Sequence, residues 1–96
     1  MIVKSRKKRI AKDIAMLPIY AKEEAYSLIE VLEEAKALTD VPNVIPMEGT
    51  DEPYYRLKFG DYRMIMYYEK EIETVKVLSI FHRKDAYKKH NLPWRK

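Results

Sequence analysis

The stretch that decides the fold is Tyr54-Tyr55-Arg56-Leu57-Lys58-Phe59-Gly60-Asp61-Tyr62-Arg63-Met64-Ile65-Met66-Tyr67-Tyr68. Apolar and polar side chains alternate on each side of the Gly60-Asp61 pair, which predicts two β-strands, over residues 54–59 and 62–68. A two-residue connection with glycine first is typical of a tight hairpin turn. Such a turn fixes the register and sets Lys58 opposite Arg63. The sequence therefore predicts an antiparallel hairpin in this part of the chain.

The two faces of this hairpin carry different chemistry, because successive residues of a strand point to opposite sides. The apolar face consists of Tyr55, Leu57, Phe59, Tyr62, Met64 and Met66. The other face is basic and carries Arg56, Lys58 and Arg63, with Tyr54 and Tyr67 farther along. Lys58 opposite Arg63 is a like-charge pair, which destabilises a sheet. A local conflict of this kind in otherwise consistent strands indicates a functional site.

Four further elements are expected outside the hairpin, and their kinds follow from the spacing of apolar residues. They are a short first strand, two amphipathic helices and a last strand, at residues 1–5, 6–17, 21–38 and 74–81. Pro18 separates the two helices, because a proline ends a helical run. Residues 39–53 carry three prolines and little periodicity, which predicts a loop.

The order of these elements predicts an α+β fold. We expect the order β-α-α-β-β-β, with the helical hairpin packed on one face of an antiparallel sheet and a short helical turn after the last strand. A length of 96 residues allows one domain over residues 1–96, in which residues 91–96 form a tail.

Composition excludes several classes of protein. The chain has no cysteine, which rules out disulfides, thiolate metal sites and cysteine nucleophiles. Its two glycines, Gly49 and Gly60, are too few for a Walker phosphate loop or a dinucleotide fingerprint. No apolar run approaches the ~20 residues of a membrane span, and the basic first segment lacks the apolar block of a signal peptide. We therefore expect a soluble, cytoplasmic protein without a cofactor.

Charge is distributed unevenly along the chain. The net charge is +4, yet residues 1–12 carry +6, residues 13–81 carry −7 and residues 82–96 carry +5. If the fold brings the two basic ends together, they form a cationic surface suited to a polyanion. Otherwise they are solvated tails, and charge alone leaves both interpretations open.

A basic constellation is expected where the last strand ends. The sequence there is His82-Arg83-Lys84-Asp85-Ala86-Tyr87. Antiparallel pairing brings the end of this strand close to Arg63 and Lys58. Arginine and lysine bind phosphate, histidine exchanges protons near neutral pH, and tyrosine stacks on bases or passes a proton. Together these side chains indicate a site for an RNA phosphodiester.

These residues resemble the RelE/ParE toxin superfamily of bacterial and archaeal toxin–antitoxin systems. The likeness lies in Tyr55-Arg56-Leu57-Lys58-Phe59-Gly60-Asp61-Tyr62-Arg63-Met64-Ile65, followed after a hydrophobic strand by His82-Arg83-Lys84-Asp85-Ala86-Tyr87. Members of the family typically carry Y-R-[IL]-R-x-G-x-Y-R-[IL]-x-Y in the hairpin and H-R-K-D-x-Y at the end. The resemblance extends over nearly the whole chain and implies the fold predicted above.

The resemblance implies a metal-independent endoribonuclease that enters the ribosomal A site, against the 16S rRNA surface, and cuts mRNA there. In such members the 2′-hydroxyl beside the scissile phosphate attacks it, which leaves a 2′,3′-cyclic phosphate and a 5′-hydroxyl. Arg56, Lys58, Arg63, Arg83 and Tyr87 match positions of the family pattern. With His82 added for its proton chemistry, the expected catalytic set is Lys58, Arg63, His82, Arg83 and Tyr87, and the expected RNA-binding set is Arg56, Lys84, Lys88 and Lys89. The resemblance implies neither a metal site nor a cofactor.

Two assignments within these sets stay open. Either Lys58 or His82 is the base, since a histidine exchanges protons at neutral pH without help, whereas a lysine needs neighbouring cations. Tyr87 either stacks on the mRNA or helps in proton transfer. Arg56 stands where the best-known catalytic branch of the family has lysine, and the chain lacks the glutamate base of another branch.

The resemblance also implies a partner and leaves two other functions open. A cognate antitoxin is expected to wrap a segment that orders on binding around the toxin, across the helices, and to cover or distort the basic patch. The first alternative is a ParE-like inhibitor of DNA gyrase, which explains the fold and the antitoxin equally well. The second is a non-catalytic, basic RNA-binding module, whose sign would be salt-dependent RNA binding without cleavage.

Overall fold

The structure is a computed structural model that describes residues 1–86 and 88; the expected tail, residues 91–96, lies outside them. Its helices and strands, in chain order, are β1 (Ile2–Ser5), α1 (Lys7–Ala15), α2 (Ile19–Glu34), β2 (Val44–Pro46), β3 (Tyr54–Phe59), β4 (Tyr62–Glu69) and β5 (Thr74–His82). Short 3-10 turns occupy Leu38–Asp40, Lys70–Ile72 and Arg83–Asp85. The strands form a five-stranded sheet in the order β1-β5-β4-β3-β2.

The predicted α+β fold, with two helices packed on one face of a sheet, is confirmed, and two details of the sheet are corrected. First, the sheet is mixed and not wholly antiparallel, because β1 pairs with β5 in parallel. The chain between them, residues 6–73, contains both helices and the other three strands and provides the long connection that a parallel pair requires. Second, the expected loop contains β2, whose three residues pair with β3. A strand this short, ending in proline, is too brief to show a period.

The second helix begins and ends earlier than the spacing of apolar residues predicted. Pro18 caps its N-terminus with a φ of −63°, so the helix begins directly after it, at Ile19. A proline fits there because the first turn of a helix leaves its N–H groups without intrahelical acceptors. The helix ends at Glu34, and Ala35 is extended. Leu38, expected in the helix, is buried in a 3-10 turn instead.

The central hairpin has the predicted register. Phe59 pairs with Tyr62, and Lys58 pairs with Arg63. Gly60 has a φ of 59°, a conformation that glycine adopts without steric cost and that a two-residue turn with glycine first requires. The turn therefore fixes which side chains of β3 and β4 point to each side of the sheet.

The main core lies between the helices and the inner face of the sheet, the face that carries Leu57 and Met64. Its buried members include Ile14, Ala25, Leu32, Leu57, Met64, Met66, Val75 and Val77. They combine the apolar face predicted for the hairpin with one stripe of each helix. Among the described residues, no helix has the length and apolar character that crossing a bilayer requires.

A side chain of α1 completes the edge of β5. β1 ends at Ser5, opposite Val77, so β5 continues beyond β1. There the Oδ2 atom of Asp13 accepts a hydrogen bond from the backbone N–H of Ile80 at 3.0 Å. The Nε of Arg9 donates to the same carboxylate oxygen at 2.9 Å, and the Asp13 side chain is only 15% exposed. This contact holds α1 against the sheet and satisfies a backbone donor.

Replacing Asp13 by alanine is expected to lower the free energy of unfolding by about 1–3 kcal/mol, because the N–H of Ile80 loses its acceptor. Asp13→Asn keeps an oxygen acceptor without the charge and is expected to lose less. Urea denaturation measures both changes, with Asp51→Ala at an exposed loop position as the control. If Asp13→Ala were as stable as the wild-type chain, the contact would contribute nothing to the fold.

Candidate functional site

The outer face of the sheet, the side opposite the helices, carries the predicted basic residues. Arg56, Lys58 and Arg63 point to this side, because their strand neighbours Leu57 and Met64 lie in the main core. Lys58 is exposed and stands directly opposite Arg63. The like-charge pair predicted from the hairpin is therefore present.

Three arginines converge on the outer face near the hairpin turn, with Arg63 in the middle. Arg63 is diagonal to Arg56 across the β3–β4 ladder. Its partner on β5 is Phe81, two residues before Arg83. Burial lowers the pKa of Arg63 below its ordinary value, and the neighbouring charges of Arg56 and Arg83 lower it further. An arginine still stays protonated at physiological pH, so these three residues, the arginine cluster, concentrate positive charge.

The hairpin turn holds two of these arginines in place. Nη1 of Arg63 donates to the carbonyl oxygens of Gly60 at 3.0 Å and Tyr62 at 2.8 Å. The backbone N–H of Arg83 donates to the carbonyl of Asp61 at 2.7 Å, and its Nε lies 3.5 Å from Oδ1 of Asp61. The sequence pattern marks Asp61 only as a turn residue, and its ion pair depends on contacts between distant parts of the chain. Because that pair is exposed, a bound anion can compete with it for Arg83.

Arg56 contributes a buried donor. Its Nε is shielded from solvent and makes no hydrogen bond to the part of the chain that the structure describes. A buried N–H without an acceptor costs free energy, and more so on a charged group. That Arg56 keeps this unpaired donor despite the cost indicates a role in binding an anion and not a role in stability.

A second, smaller apolar cluster lies on the outer face. Its buried members are Ile65, Leu78 and Phe81, and the residues packed against them are Met47, Tyr54, Tyr67 and Ala86. The rings of Tyr54 and Tyr67 meet edge to face, with centroids 5.1 Å apart and an interplanar angle of 75°. The hydroxyl of Tyr67 donates to Oε2 of Glu52 at 3.2 Å, and this hydrogen bond raises the pKa of Tyr67 above its ordinary value. The outer face thus carries cations at one end and tyrosines at the other.

His82 lies on the inner face, which corrects the expectation that it joins the basic residues. It pairs with Tyr62 across the ladder, and the two rings meet edge to face with centroids 5.3 Å apart. Burial raises the pKa of Tyr62 above its ordinary value, and a hydrogen bond with Tyr20 of α2 raises it further. Nδ1 of His82 accepts a hydrogen bond from the backbone N–H of Lys84 at 3.2 Å.

A β-bulge in β5 accounts for this placement. Between the pairs that Ile65 and Met66 make with β5, Leu78 is an extra residue without a ladder partner on β4. One extra residue inverts the alternation for the rest of the strand. Phe81 therefore points to the outer face and His82 to the inner face. Strict alternation along β5 would have put His82 on the basic side.

The remaining predicted residues follow β5. Lys84 and Lys88 are exposed, and Nζ of Lys88 lies 3.2 Å from Oδ1 of Asp85. Tyr87 and Lys89 lie outside the described residues. Of the predicted sets, the structure brings together Arg56, Lys58, Arg63 and Arg83.

The arginine cluster with Lys58 beside it is suited to a phosphate group. Guanidinium groups offer planar pairs of donors to phosphate oxygens, and an ammonium group adds a point charge. Fixed cations of this kind stabilise an anion whose charge increases during a reaction. The site can therefore bind a phosphodiester and favour a change at its phosphorus.

Comparison with known proteins relates the chain to a family of toxins. A family model described as the ParE toxin of type II toxin–antitoxin system, parDE, matches residues 5–87. No curated protein matches the chain in sequence.

Solved structures share the fold. A chain of the RelB–RelE antitoxin–toxin complex from Methanococcus jannaschii is 21% identical with a TM-score of 0.72, over 91% of this chain and 95% of that one. A chain of the archaeal RelE–RelB complex from Pyrococcus horikoshii OT3 is 28% identical with a TM-score of 0.69, over 85% of this chain and 93% of that one. The isolated E. coli RelE toxin is 21% identical with a TM-score of 0.60, over 84% of this chain and 82% of that one.

Replacing Arg56 by methionine is expected to raise the free energy of unfolding by up to about 1 kcal/mol, because it removes one of three like charges and a buried donor. Methionine keeps an apolar chain of similar length. Urea denaturation at low salt measures the gain, which should shrink at about 1 M salt, where repulsion is screened. Lys76→Met, at an exposed cation of the same face, is the control. A stability lower than that of the control would assign Arg56 to the fold and not to a site.

Proposed function

Because the chain belongs to the ParE toxin family of type II toxin–antitoxin systems, within the RelE/ParE superfamily, we propose that it is a metal-independent, ribosome-dependent endoribonuclease that cuts mRNA in the A site. The observation that carries this proposal is the convergence of Arg56, Arg63 and Arg83. Crowding three cations costs repulsion, which a phosphate ligand removes. The similarity of the fold to that of the isolated E. coli RelE toxin supports the same proposal.

The proposed reaction uses the nucleophile of the RNA itself. A base takes the proton of the 2′-hydroxyl, the 2′-oxygen bonds to phosphorus, and the bond from phosphorus to the 5′-oxygen breaks. The leaving 5′-oxygen takes up a proton, so the products are a 2′,3′-cyclic phosphate and a 5′-hydroxyl. Negative charge increases on the phosphate oxygens in the transition state, where Arg63 and Arg83 stabilise it. Arg56, diagonal to Arg63 on β3, binds the RNA backbone.

Geometry favours Lys58 over His82 as the base. Lys58 is exposed on the outer face opposite Arg63, whereas His82 lies on the inner face with its Nδ1 engaged. A base must come within hydrogen-bond distance of the proton it takes. A lysine acts as a base only in its neutral form. The roles of Tyr87 and Lys89 stay predictions.

A cognate antitoxin is the proposed protein partner. The similar structures from M. jannaschii and P. horikoshii are antitoxin–toxin complexes. A basic face that binds RNA is silenced when an antitoxin segment orders across it. The junction of α1 and α2 offers a further contact, because three large apolar side chains are exposed there, Met16 by 78%, Ile19 by 74% and Tyr20 by 63%.

A ParE-like inhibitor of DNA gyrase is the second candidate, favoured by the match to the ParE toxin family model. A gyrase inhibitor would have the same fold and would also be paired with an antitoxin. A gyrase inhibitor would not need an arginine cluster suited to binding a phosphate. An assay of gyrase supercoiling therefore accompanies the assay of RNA cleavage.

In a cell-free translation reaction with a defined mRNA, the purified protein is expected to create new 5′ ends, mapped by primer extension, only when ribosomes are present. Arg63→Ala and Arg83→Ala are each expected to slow cleavage on the order of 100-fold, because each removes a cation that stabilises the transition state. Lys36→Ala is the control, since this exposed cation lies just after α2, away from the outer face of the sheet. It is expected to cleave at the wild-type rate.

The other outcomes distinguish the remaining functions. Cleavage without ribosomes would keep the nuclease and remove the A-site mechanism. An absence of cleavage together with inhibited gyrase supercoiling would establish the gyrase inhibitor. Salt-dependent RNA binding with neither activity would leave a non-catalytic RNA-binding module.

Lys58→Met is expected to lower the single-turnover cleavage rate on the order of 100-fold, because it removes the base. His82→Gln is expected to keep the rate within a few-fold of the wild type. Both rates are measured on translated mRNA at saturating protein, and circular dichroism checks the fold of His82→Gln, whose ring contacts Tyr62. A larger loss in His82→Gln than in Lys58→Met would assign the base to His82.

A further inference from the structure

We infer that Tyr54 and Tyr67 form a stacking subsite for an unpaired RNA base, at the end of the outer face that lies away from the arginine cluster. The inference rests on the proposed function, because it describes how the same face holds the RNA beside the reacting phosphate. The two tyrosines bind a base, whereas the arginines bind the backbone.

The tyrosines lie in line with the cations. Along the outer face of the hairpin the cross-strand pairs are Tyr54 with Tyr67, Arg56 with Ile65, and Lys58 with Arg63. Successive pairs on one face are about 7 Å apart, which sets the tyrosines roughly 14 Å from the last pair. A single strand of RNA with its scissile phosphate on the arginine cluster can therefore follow β3 past Arg56 to the tyrosines.

The tyrosine pair is built as a fixed platform. The rings stand edge to face, with centroids 5.1 Å apart. In such a pair one ring presents its edge to the face of the other, so ring faces remain that the pair itself does not use. Both side chains are half-buried and rest on the small outer cluster that includes Ile65 and Met47. A ring held in this way loses little freedom when a base stacks on it.

The acidic neighbour of the pair favours a base over a phosphate. Oε2 of Glu52, an exposed residue, accepts the hydrogen bond of the Tyr67 hydroxyl at 3.2 Å. That hydrogen bond raises the pKa of Tyr67 and keeps its phenol neutral. A carboxylate repels a phosphate, so the part of an RNA that fits beside this ring is a neutral base.

The inner face supplies a comparison within the same two strands. Tyr55 and Tyr68 also meet edge to face, with centroids 6.1 Å apart, and both pack against the main core. That pair has a structural role. Tyr54 and Tyr67 pack on the small outer cluster instead and share their face with arginine and lysine. Aromatic rings in line with cations are the usual surface for single-stranded nucleic acid.

Fluorescence anisotropy with a labelled, non-cleavable 2′-O-methyl oligoribonucleotide tests the subsite over a range of salt concentrations. Tyr67→Leu is expected to weaken binding on the order of tenfold, whereas Tyr67→Phe keeps the ring and is expected to stay within about twofold of the wild type. The slope of log affinity against log salt is expected to stay the same, because no phosphate contact is removed. Tyr26→Leu, at an exposed tyrosine of α2, is the matched control.

An abasic oligonucleotide of the same length makes the test specific. Tyr67→Leu should bind it as well as the wild type does, because no base is present to stack. An equal loss on both oligonucleotides, or no loss on the ordinary one, would overturn the subsite and leave the proposed function standing. A wild-type protein that binds neither oligonucleotide would overturn the subsite, while the proposed function is decided separately by cleavage of mRNA on ribosomes. Tyr54→Leu gives the same comparison if circular dichroism shows that Tyr67→Leu does not fold.

Discussion

The fixed register of the β3–β4 hairpin is the constraint on which the rest of the structure depends. Its two-residue turn, with Gly60 in the left-handed region, leaves one pairing of the strands. In that pairing Leu57 and Met64 enter the core under the helices, and Arg56 and Arg63 point the other way. A slip of one residue would bury the arginines and expose the core. The same strand register therefore determines both the packing of the core and the position of the basic residues.

The outer face tolerates its charge because other contacts hold it. Two backbone carbonyls of the hairpin accept hydrogen bonds from Arg63, and Asp61 tethers Arg83. The buried cluster of Ile65, Leu78 and Phe81 gives this side of the sheet a small apolar base. The cations are thus positioned by the fold, while their mutual repulsion is left for a ligand to relieve. This combination is typical of a surface selected for binding and not for stability.

The sequence predicts the parts of the molecule that depend on neighbours in the chain. The hairpin, its register and the outward set of Arg56, Lys58 and Arg63 follow from a turn and from alternation within one short stretch. The resemblance to a toxin family, confirmed by the match over residues 5–87, added a chemistry that composition alone does not contain. These features share a local origin, so they could be predicted from one sequence.

The features that were missed depend on distant contacts. The parallel pairing of β1 and the short β2 are set by where the helices return the chain, which alternation does not report. The position of His82 depends on a bulge in a strand whose adjacent apolar residues allow either side to face the core. Asp61 acquires its ion pair only because β5 ends beside the turn. In each case the feature depends on tertiary contacts, which a single sequence does not specify.

The bulge at Leu78 makes β5 a strand with two independent halves. Val75 and Val77, in the core, fix its first half. The extra residue that follows them, Leu78, determines which face of the sheet each residue of the second half points to. The residues that the strand end delivers to the outer face are therefore uncoupled from the residues that anchor it. Deleting Leu78 would leave an unbroken ladder with Ser79 still opposite Ile65, so Phe81 would stay on the outer face and His82 on the inner face. If β5 instead paired without the bulge, with Leu78 opposite Ile65, the same residues would present His82 in place of Phe81 on the basic side, so a shift in pairing alone would change the chemistry of this face.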